Sequence, residues 1–223
     1  MTEAWLFGPP APRVPLALGA PPSYIVVEGP IGVGKTTLVH ALATRLHART
    51  VYEVFEENPF LARFYEDPER YALPTEVFFL LSRFQQQERF AQEPLLQPLT
   101  VSDYLFQKCR LFASLTLRGS EFDLFTQMYD ILERQVPRPD LVIHLHAPVD
   151  VLLGRIAQRG RDYEAGIGAD YLEALCAGYR STFASCDLPR LDIDTSERDL
   201  RRDEEIDLLL DEVFPDGLPN GRT

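Results

Sequence analysis

Cysteine is scarce: Cys109, Cys176 and Cys186 are the only three in 223 residues, an odd and widely spaced set without metal-ligand spacing. That argues against a disulfide framework and for a reducing compartment, the cytoplasm. No apolar run approaches the roughly 18 residues a membrane span needs, and no basic start leads into a hydrophobic stretch. Neither a membrane anchor nor a signal peptide is expected. Basic residues are also few, 22 against 34 acidic ones, for a net charge of −12. Such a chain repels a phosphate polymer, so DNA or RNA is not an expected partner unless the basic residues cluster. Asparagine occurs only at Asn58 and Asn220, and neither N-K-x-D nor D-x-x-G is found, which argues against a guanine-reading molecular switch. No internal repeat is visible.

What is present is a full G-x-x-x-x-G-K-[ST] string from Gly29 to Thr36, followed by Thr37. Before it, Tyr24-Ile25-Val26-Val27-Glu28 has the β-branched content of a buried parallel strand. After it, Leu38, Leu42 and Leu46 recur at helical spacing. Strand, glycine loop and helix are the context this motif needs in order to hold a nucleoside triphosphate. Gly29, Gly32 and Gly34 let the backbone curl so that N–H groups, including those of Val33 and Thr37, point at a phosphate. Lys35 can then reach the β and γ oxygens, and the Thr36 hydroxyl is suited to Mg²⁺.

With 45% hydrophobic residues, the chain can bury one substantial core. Residues 1–22 hold Pro9, Pro10, Pro12, Pro15, Pro21 and Pro22 and read as a flexible leader. Residues 23–214 read as one α/β domain and 215–223 as a tail. Strands are expected at 24–28, 50–52, 99–102, 141–145 and 190–193. Helices are expected after the loop, over 59–92 with interruptions near Pro68 and Pro74, over 105–135, from Val149 to Arg159, over 169–186, and over 196–214 capped by Thr195 or Ser196. Alternating β and α elements imply a parallel sheet covered on both faces, with ligands at the carboxyl ends of the strands.

Six ordered segments, GPIGVGKTT, YEVFEENPFLARFYED, LPTEVFFLLSRF, SDYLFQK, PDLVIHL and RIAQRGRDYE, resemble the deoxynucleoside kinase family, closest to its bacterial deoxyguanosine and deoxyadenosine kinases. The resemblance spans about residues 23 to 194. It implies a three-layer P-loop kinase fold with a five-stranded parallel sheet, a homodimer, ATP as donor with Mg²⁺, and a deoxynucleoside 5′-hydroxyl as acceptor.

Carried onto this sequence, the resemblance makes Glu53 the general base; an ordinary surface role is the alternative, with Glu56 and Glu57 close by. Asp103, at the end of the third strand, becomes a Mg²⁺ ligand with Thr36. Many family members follow that acid with Arg and Ser, whereas Tyr104 and Leu105 follow here. Lys108 is the nearest replacement for the missing charge, unless it is a solvated helix lysine. Arg155, Arg159 and Arg161 match the family's lid over the triphosphate, Arg155 on the ATP side and the other two on the moving phosphoryl group. Tyr65 and Glu164 match the pair that contacts the sugar 3′-hydroxyl.

Glu76 and Arg83, seven residues apart, share one helical stripe within about 20° and are expected to read the base, an intrahelical ion pair being the alternative. The family usually has Gln at the position of Glu76. An ionised Glu only accepts, which suits the adjacent N1–H and 2-amino donors of guanine better than the N1 acceptor of adenine or the N3 acceptor of cytosine. Cys109 falls near an aspartate that some relatives place on the base. The leading expectation is therefore a deoxyguanosine kinase acting in nucleotide salvage. A deoxyadenosine or deoxycytidine kinase, a thymidylate-type monophosphate kinase and an inactive nucleotide-binding subunit stand as alternatives.

Overall fold

Tyr24–Glu28 forms strand β1, buried along its whole length. It is the central strand of a five-stranded sheet in a computed structural model that describes residues 21–54, 57–92, 99–161, 164, 166–184 and 186–218, without the side chains of 90–92. Most of the leader and the end of the tail expected from the sequence lie outside the described residues, as does Glu56. The remaining strands are β2 (Arg49–Val51), β3 (Thr100–Ser102), β4 (Leu141–His146) and β5 (Arg190–Asp194). They lie in the order β2-β3-β1-β4-β5, all parallel, with Ile25 opposite both Val101 and Leu141. Because β3 and β4 flank β1 on opposite sides, a crevice opens beyond the carboxyl ends of β1 and β3.

Helix α1 (Lys35–Leu46) packs Leu38, Val39, Leu42 and Leu46 onto the sheet. A second cluster, built around Leu80, Phe106, Cys109, Phe125 and Tyr129, joins α3 (Pro68–Gln92), α4 (Lys108–Thr116) and α5 (Gly119–Glu133). Helices α6 (Val149–Arg159), α7 (Ala169–Ala184) and α8 (Asp203–Val213) complete the layers, and a short α2 (Leu61–Glu66) precedes α3. None of the described helices is long and apolar enough to cross a membrane. All three cysteines are free thiols.

Several boundaries differ from expectation. β2 runs Arg49–Val51, one residue earlier at each end than expected, so Glu53 lies two residues beyond it, its N–H bonded to Asp103 Oδ1 at 2.7 Å. Pro74 does not interrupt its helix: α3 runs through it, because burial of Ala72, Thr75, Glu76, Leu80 and Arg83 on one side outweighs one lost backbone bond. The interruption expected near Pro68 is present: α2 ends at Glu66 and Pro68 opens α3, where its missing N–H has no intrahelical role. Residues 105–135 are two helices, separated where Leu117 and Arg118 are extended and Gly119 takes φ +53°. The last helix starts at Asp203. Asp194 Oδ1 accepts bonds from both the N–H and the hydroxyl of Ser196, so the chain turns there instead of entering a helix.

Gly29 is the tightest point of the phosphate loop. Its φ is +152°, and a Cβ there would lie 2.2 Å from the carbonyl oxygen of Leu145. Gly34 also has a positive φ, yet a Cβ on it would meet open space. Gly29→Ala should therefore lower the unfolding free energy by roughly 2 kcal/mol or more, within the range of overpacking and backbone strain. Gly34→Ala should cost less, and urea unfolding of both variants checks the order.

Candidate active site

The phosphate loop, the segment after β2 and the segment after β3 all emerge at the crevice, because all three strands are parallel and end together. Glu28, the last residue of β1, is fully buried and ties these parts to the fold. Its Oε1 accepts from the Gly29 N–H at 2.8 Å and the Tyr179 hydroxyl at 2.9 Å, and its Oε2 from the Leu105 N–H at 2.7 Å. Neither Glu28 nor Tyr179 was singled out from the sequence.

Above them lies a cavity of about 160 Å³. Among the residues lining it are Gly32, Lys35 and Thr36 of the loop, Glu53, Tyr65, Glu76, Arg83, Asp103, Lys108, Arg159, Arg161 and Glu164. Gly29, Val33, Gly34 and Thr37 belong to the loop and the start of α1 without lining the cavity, and the Val33 side chain is buried in the core. Arg155 also lies off the lining, its guanidinium bonded to the hydroxyl and carbonyl of Thr195, both at 2.7 Å.

Glu53 is the electrostatic centre of the cavity. Arg83 donates to its Oε1 through Nε at 2.9 Å and through Nη2 as well, and Lys108 Nζ donates to its Oε2 at 2.8 Å. Burial alone would raise the Glu53 pKa, but these two cations reverse the shift and hold it well below the usual carboxylate range. Lys108 is thus not a solvated helix lysine. Tyr104, which stands where an arginine was expected, is fully buried and brings no charge to the cavity.

Lys35 Nζ donates to the carbonyls of Gly29 at 2.8 Å and Pro30 at 3.1 Å. Burial, with Lys108 nearby, lowers its pKa to about 8 against the pull of Glu28, Glu53 and Asp103. Asp103 Oδ2 lies 3.3 Å from Thr36 Oγ1, while its other oxygen accepts the Glu53 N–H; burial raises its pKa. On the opposite wall Glu164 receives Arg159 in a forked pair, with contacts of 2.6 and 2.7 Å from Nη2, and Arg161 at 3.6 Å.

Glu76 and Arg83 share a stripe of α3 as expected, but they form no ion pair with each other among the described residues. Arg83 turns to Glu53 and gives its remaining Nη1 to Cys109 Sγ at 3.0 Å. Glu76, 4% exposed, accepts instead from the Thr116 hydroxyl at 3.0 Å. Thr116, Tyr171 and Phe112 line the cavity and were missed. For Thr116 a signal existed: Cys109 and Thr116 are seven residues apart, as are Glu76 and Arg83, so two antiparallel helices match them pairwise.

Fold and cavity together define a nucleotide-handling kinase, and comparison with known proteins specifies which. The deoxynucleoside kinase family model matches residues 25–213. Deoxyguanosine kinase of Bacillus subtilis (strain 168) is 35% identical over 158 residues, 70% of this chain and 76% of that protein. Deoxyadenosine/deoxycytidine kinase of the same organism is 30% identical over 204 residues, 86% of this chain and 91% of that one. Among solved structures, deoxyadenosine kinase from M. mycoides with dCMP and dCDP bound superposes with a TM-score of 0.76 over 86% of this chain and 99% of its own, at 22% identity, a likeness of fold. The chain belongs to the deoxynucleoside kinase family and is a kinase enzyme of that class.

Burial pushes the Glu76 carboxyl up to about 7, although Arg83, Thr116 and Lys108 pull it down. A carboxyl whose folded value is raised holds its proton more tightly in the fold. Its contribution to stability is therefore full below about pH 4, the unfolded value, and is lost as pH rises through about 7. Glu76→Gln should make the ligand-free enzyme more stable than wild type at pH 8, by at most about 3 kcal/mol, with the difference vanishing towards pH 4. Urea midpoints across that range check the sign.

Proposed function

We propose that the enzyme transfers the γ-phosphoryl group of ATP to the 5′-hydroxyl of a purine deoxynucleoside, with deoxyguanosine preferred. The observation that carries this reading is the cavity itself. A triphosphate loop and a clamped carboxylate share one space with a second carboxylate, Glu76, that no cation neutralises directly. The catalytic domain proposed is residues 23–214, and the resemblance supports a homodimer. Exposed Leu81, Leu124 and Ile131 on α3 and α5 are apolar surfaces that a second copy would cover. Native mass spectrometry tests the dimer.

In this reading the loop from Gly29 to Thr37 cradles the triphosphate, with Lys35 on its oxygens and Arg155 steadying the lid helix on the ATP side. Thr36 and Asp103 present a hydroxyl and a carboxylate side by side, hard oxygen donors of the kind Mg²⁺ takes together with substrate phosphates. Among the described residues no group of three or more acidic, His or Cys side chains is placed to hold a metal unaided. A bound Mg²⁺ would neutralise charge building on the phosphates. Arg159 and Arg161 would leave Glu164 for the moving phosphoryl group, freeing Glu164 to meet the sugar 3′-hydroxyl beside Tyr65. Lys108 supplies the cation that Tyr104 does not.

Glu53 acts as the proposed base. Held ionised by Arg83 and Lys108, it is too weak to remove the hydroxyl proton early. A loose phosphoryl-transfer transition state needs that proton only late, and orienting the hydroxyl is the larger part of the task. Glu53→Gln should lower kcat by roughly two to four decades with ATP binding nearly intact. Wild-type kcat should show no acid limb from Glu53 between pH 5 and 7, because the group is already ionised there. A variant that turns over at the wild-type rate would remove Glu53 from the chemistry.

Similarity to a deoxyadenosine/deoxycytidine kinase favours a second reading of the base, since adenine and cytosine both offer an acceptor beside an amino donor. The two readings separate on Glu76→Gln. If guanine is the preferred base, the variant should lose roughly one to two decades in kcat/KM for deoxyguanosine and narrow the gap to deoxyadenosine. A wild-type preference for deoxyadenosine or deoxycytidine at pH 8 would overturn the guanine reading and leave the kinase.

A further inference from the structure

We propose that Thr116 is a specificity-determining residue of this kinase, its hydroxyl alternating between Glu76 and the Phe112 carbonyl so that Glu76 meets the base either as an ionised acceptor or as a protonated donor. The inference rests on the reading of Glu76 as the group that recognises the base.

Thr116 closes α4, and its Oγ1 lies 3.0 Å from Glu76 Oε1 and 3.0 Å from the carbonyl oxygen of Phe112. A hydroxyl has one proton and cannot serve both acceptors at once. When Glu76 is ionised, the proton turns to the carboxylate and stabilises it; when Glu76 is protonated, it turns to Phe112. In the ligand-free enzyme either state leaves every group in the trio with a partner, the neutral carboxyl donating its proton to Thr116 Oγ1; with adenine or cytosine in place that proton sits on Oε2 and goes to the base, and the Thr116 hydroxyl returns to Oε1.

The surroundings leave that choice to Thr116. Around Glu76 are Arg83 on its own helix, Lys108 and Cys109 on α4, Glu53 after β2, Tyr65 on α2, Tyr171 on α7, Arg159 at the end of α6, and Arg161 and Glu164 beyond it. The cations nearest to it are engaged elsewhere: Arg83 with Glu53 and Cys109, Lys108 with Glu53, Arg159 with Glu164. Among the described residues the Thr116 hydroxyl is the one side-chain donor bonded to Glu76.

The consequence for the base follows from its edge. Two ionised oxygens match the N1–H and 2-amino donors of guanine. A protonated carboxyl, donor beside acceptor, matches N1 and the 6-amino group of adenine, or N3 and the 4-amino group of cytosine. The raised Glu76 value, about 7, puts both forms within reach near neutral pH. Selectivity between the bases thus becomes a function of pH.

The test is the ratio of kcat/KM for deoxyguanosine to that for deoxyadenosine between pH 5.5 and 8.5. Groups acting on the common donor, Lys35 above all, cancel in this ratio. In wild type it should rise about tenfold or more across this range, as the ionised form replaces the protonated one around pH 7. Thr116→Val removes the donor that stabilises the ionised carboxylate, so the curve should shift up by about one pH unit, roughly a tenfold lower ratio at a given pH, and Thr116→Ser should restore it. Should the valine variant fail to fold, Thr116→Ala carries the same expectation. A ratio flat with pH, or a curve that Thr116→Val does not shift, overturns the inference while Glu76→Gln still collapses the deoxyguanosine preference. If Glu76→Gln leaves base selectivity untouched, the inference and the reading of Glu76 beneath it both fall.

Discussion

The constraint on which the rest of the site depends is the buried carboxylate of Glu28. It stands at the end of the central strand, where the chain must leave the sheet and curl into a loop. Its two oxygens take donors from three directions, the Gly29 N–H, the Leu105 N–H and the Tyr179 hydroxyl. The phosphate loop, the connection after β3 and helix α7 are thereby fixed to one point without a metal or disulfide. Removing any of these donors would leave a buried acceptor short of partners, a larger loss than the net worth of an ordinary hydrogen bond. The positions of Asp103 and Lys108 on either side of Leu105 inherit that precision.

The cavity gathers Glu53, Glu76, Asp103 and Glu164 with Lys35, Arg83, Lys108, Arg159 and Arg161 in a space of about 160 Å³. Buried charges are tolerable when each is paired and hydrogen-bonded. For Glu53, Glu164 and Lys35 the chain meets this condition with short local pairings: Glu53 between Arg83 and Lys108, Glu164 between Arg159 and Arg161, Lys35 on the carbonyls of its own loop. In the proposed mechanism the lid arginines and Lys35 exchange these partners for phosphate oxygens. The resting network then holds the cations desolvated and oriented before substrate arrives, which lowers the reorganisation needed for transfer.

Much of this was legible in the sequence because it depends on local chemistry. The loop from Gly29 to Thr36 announces itself through glycines whose conformation no other residue adopts cheaply, and Gly29 bears this out against the Leu145 carbonyl. The strands at 24–28 and 141–145 were readable from continuous β-branched and apolar runs. Pro74 misled because proline propensity is local whereas the burial that carries α3 past it is tertiary. The late start of α8 was hidden in the same way, since Asp194 captures Ser196 before a helix can begin. The pairing of Arg83 with Glu53, and not with Glu76, joins residues 30 apart in sequence, and no periodicity within α3 encodes it.

That last pairing explains how two carboxylates in one cavity come to differ. Glu53 is part-buried and Glu76 almost wholly buried, and loss of solvent by itself would raise both. Arg83 sits on the same stripe as Glu76, yet it spends its fork on Glu53 and its remaining nitrogen on Cys109. Glu53 therefore stays ionised, and Glu76, left with a hydroxyl, is drawn towards neutrality. A group that must hold a reacting hydroxyl benefits from a fixed charge, whereas one that reads hydrogen-bond donors benefits from an adjustable one. The division arises from helix geometry: α3 and α4 run antiparallel with matched seven-residue spacings, so Cys109 faces Arg83 and Thr116 faces Glu76. Had a carboxylate stood at position 109, it would compete with Glu53 for the guanidinium, weakening the clamp on the proposed base. A thiol accepts an N–H of Nη1 without drawing Arg83 away, and the separation between the two carboxylates is preserved.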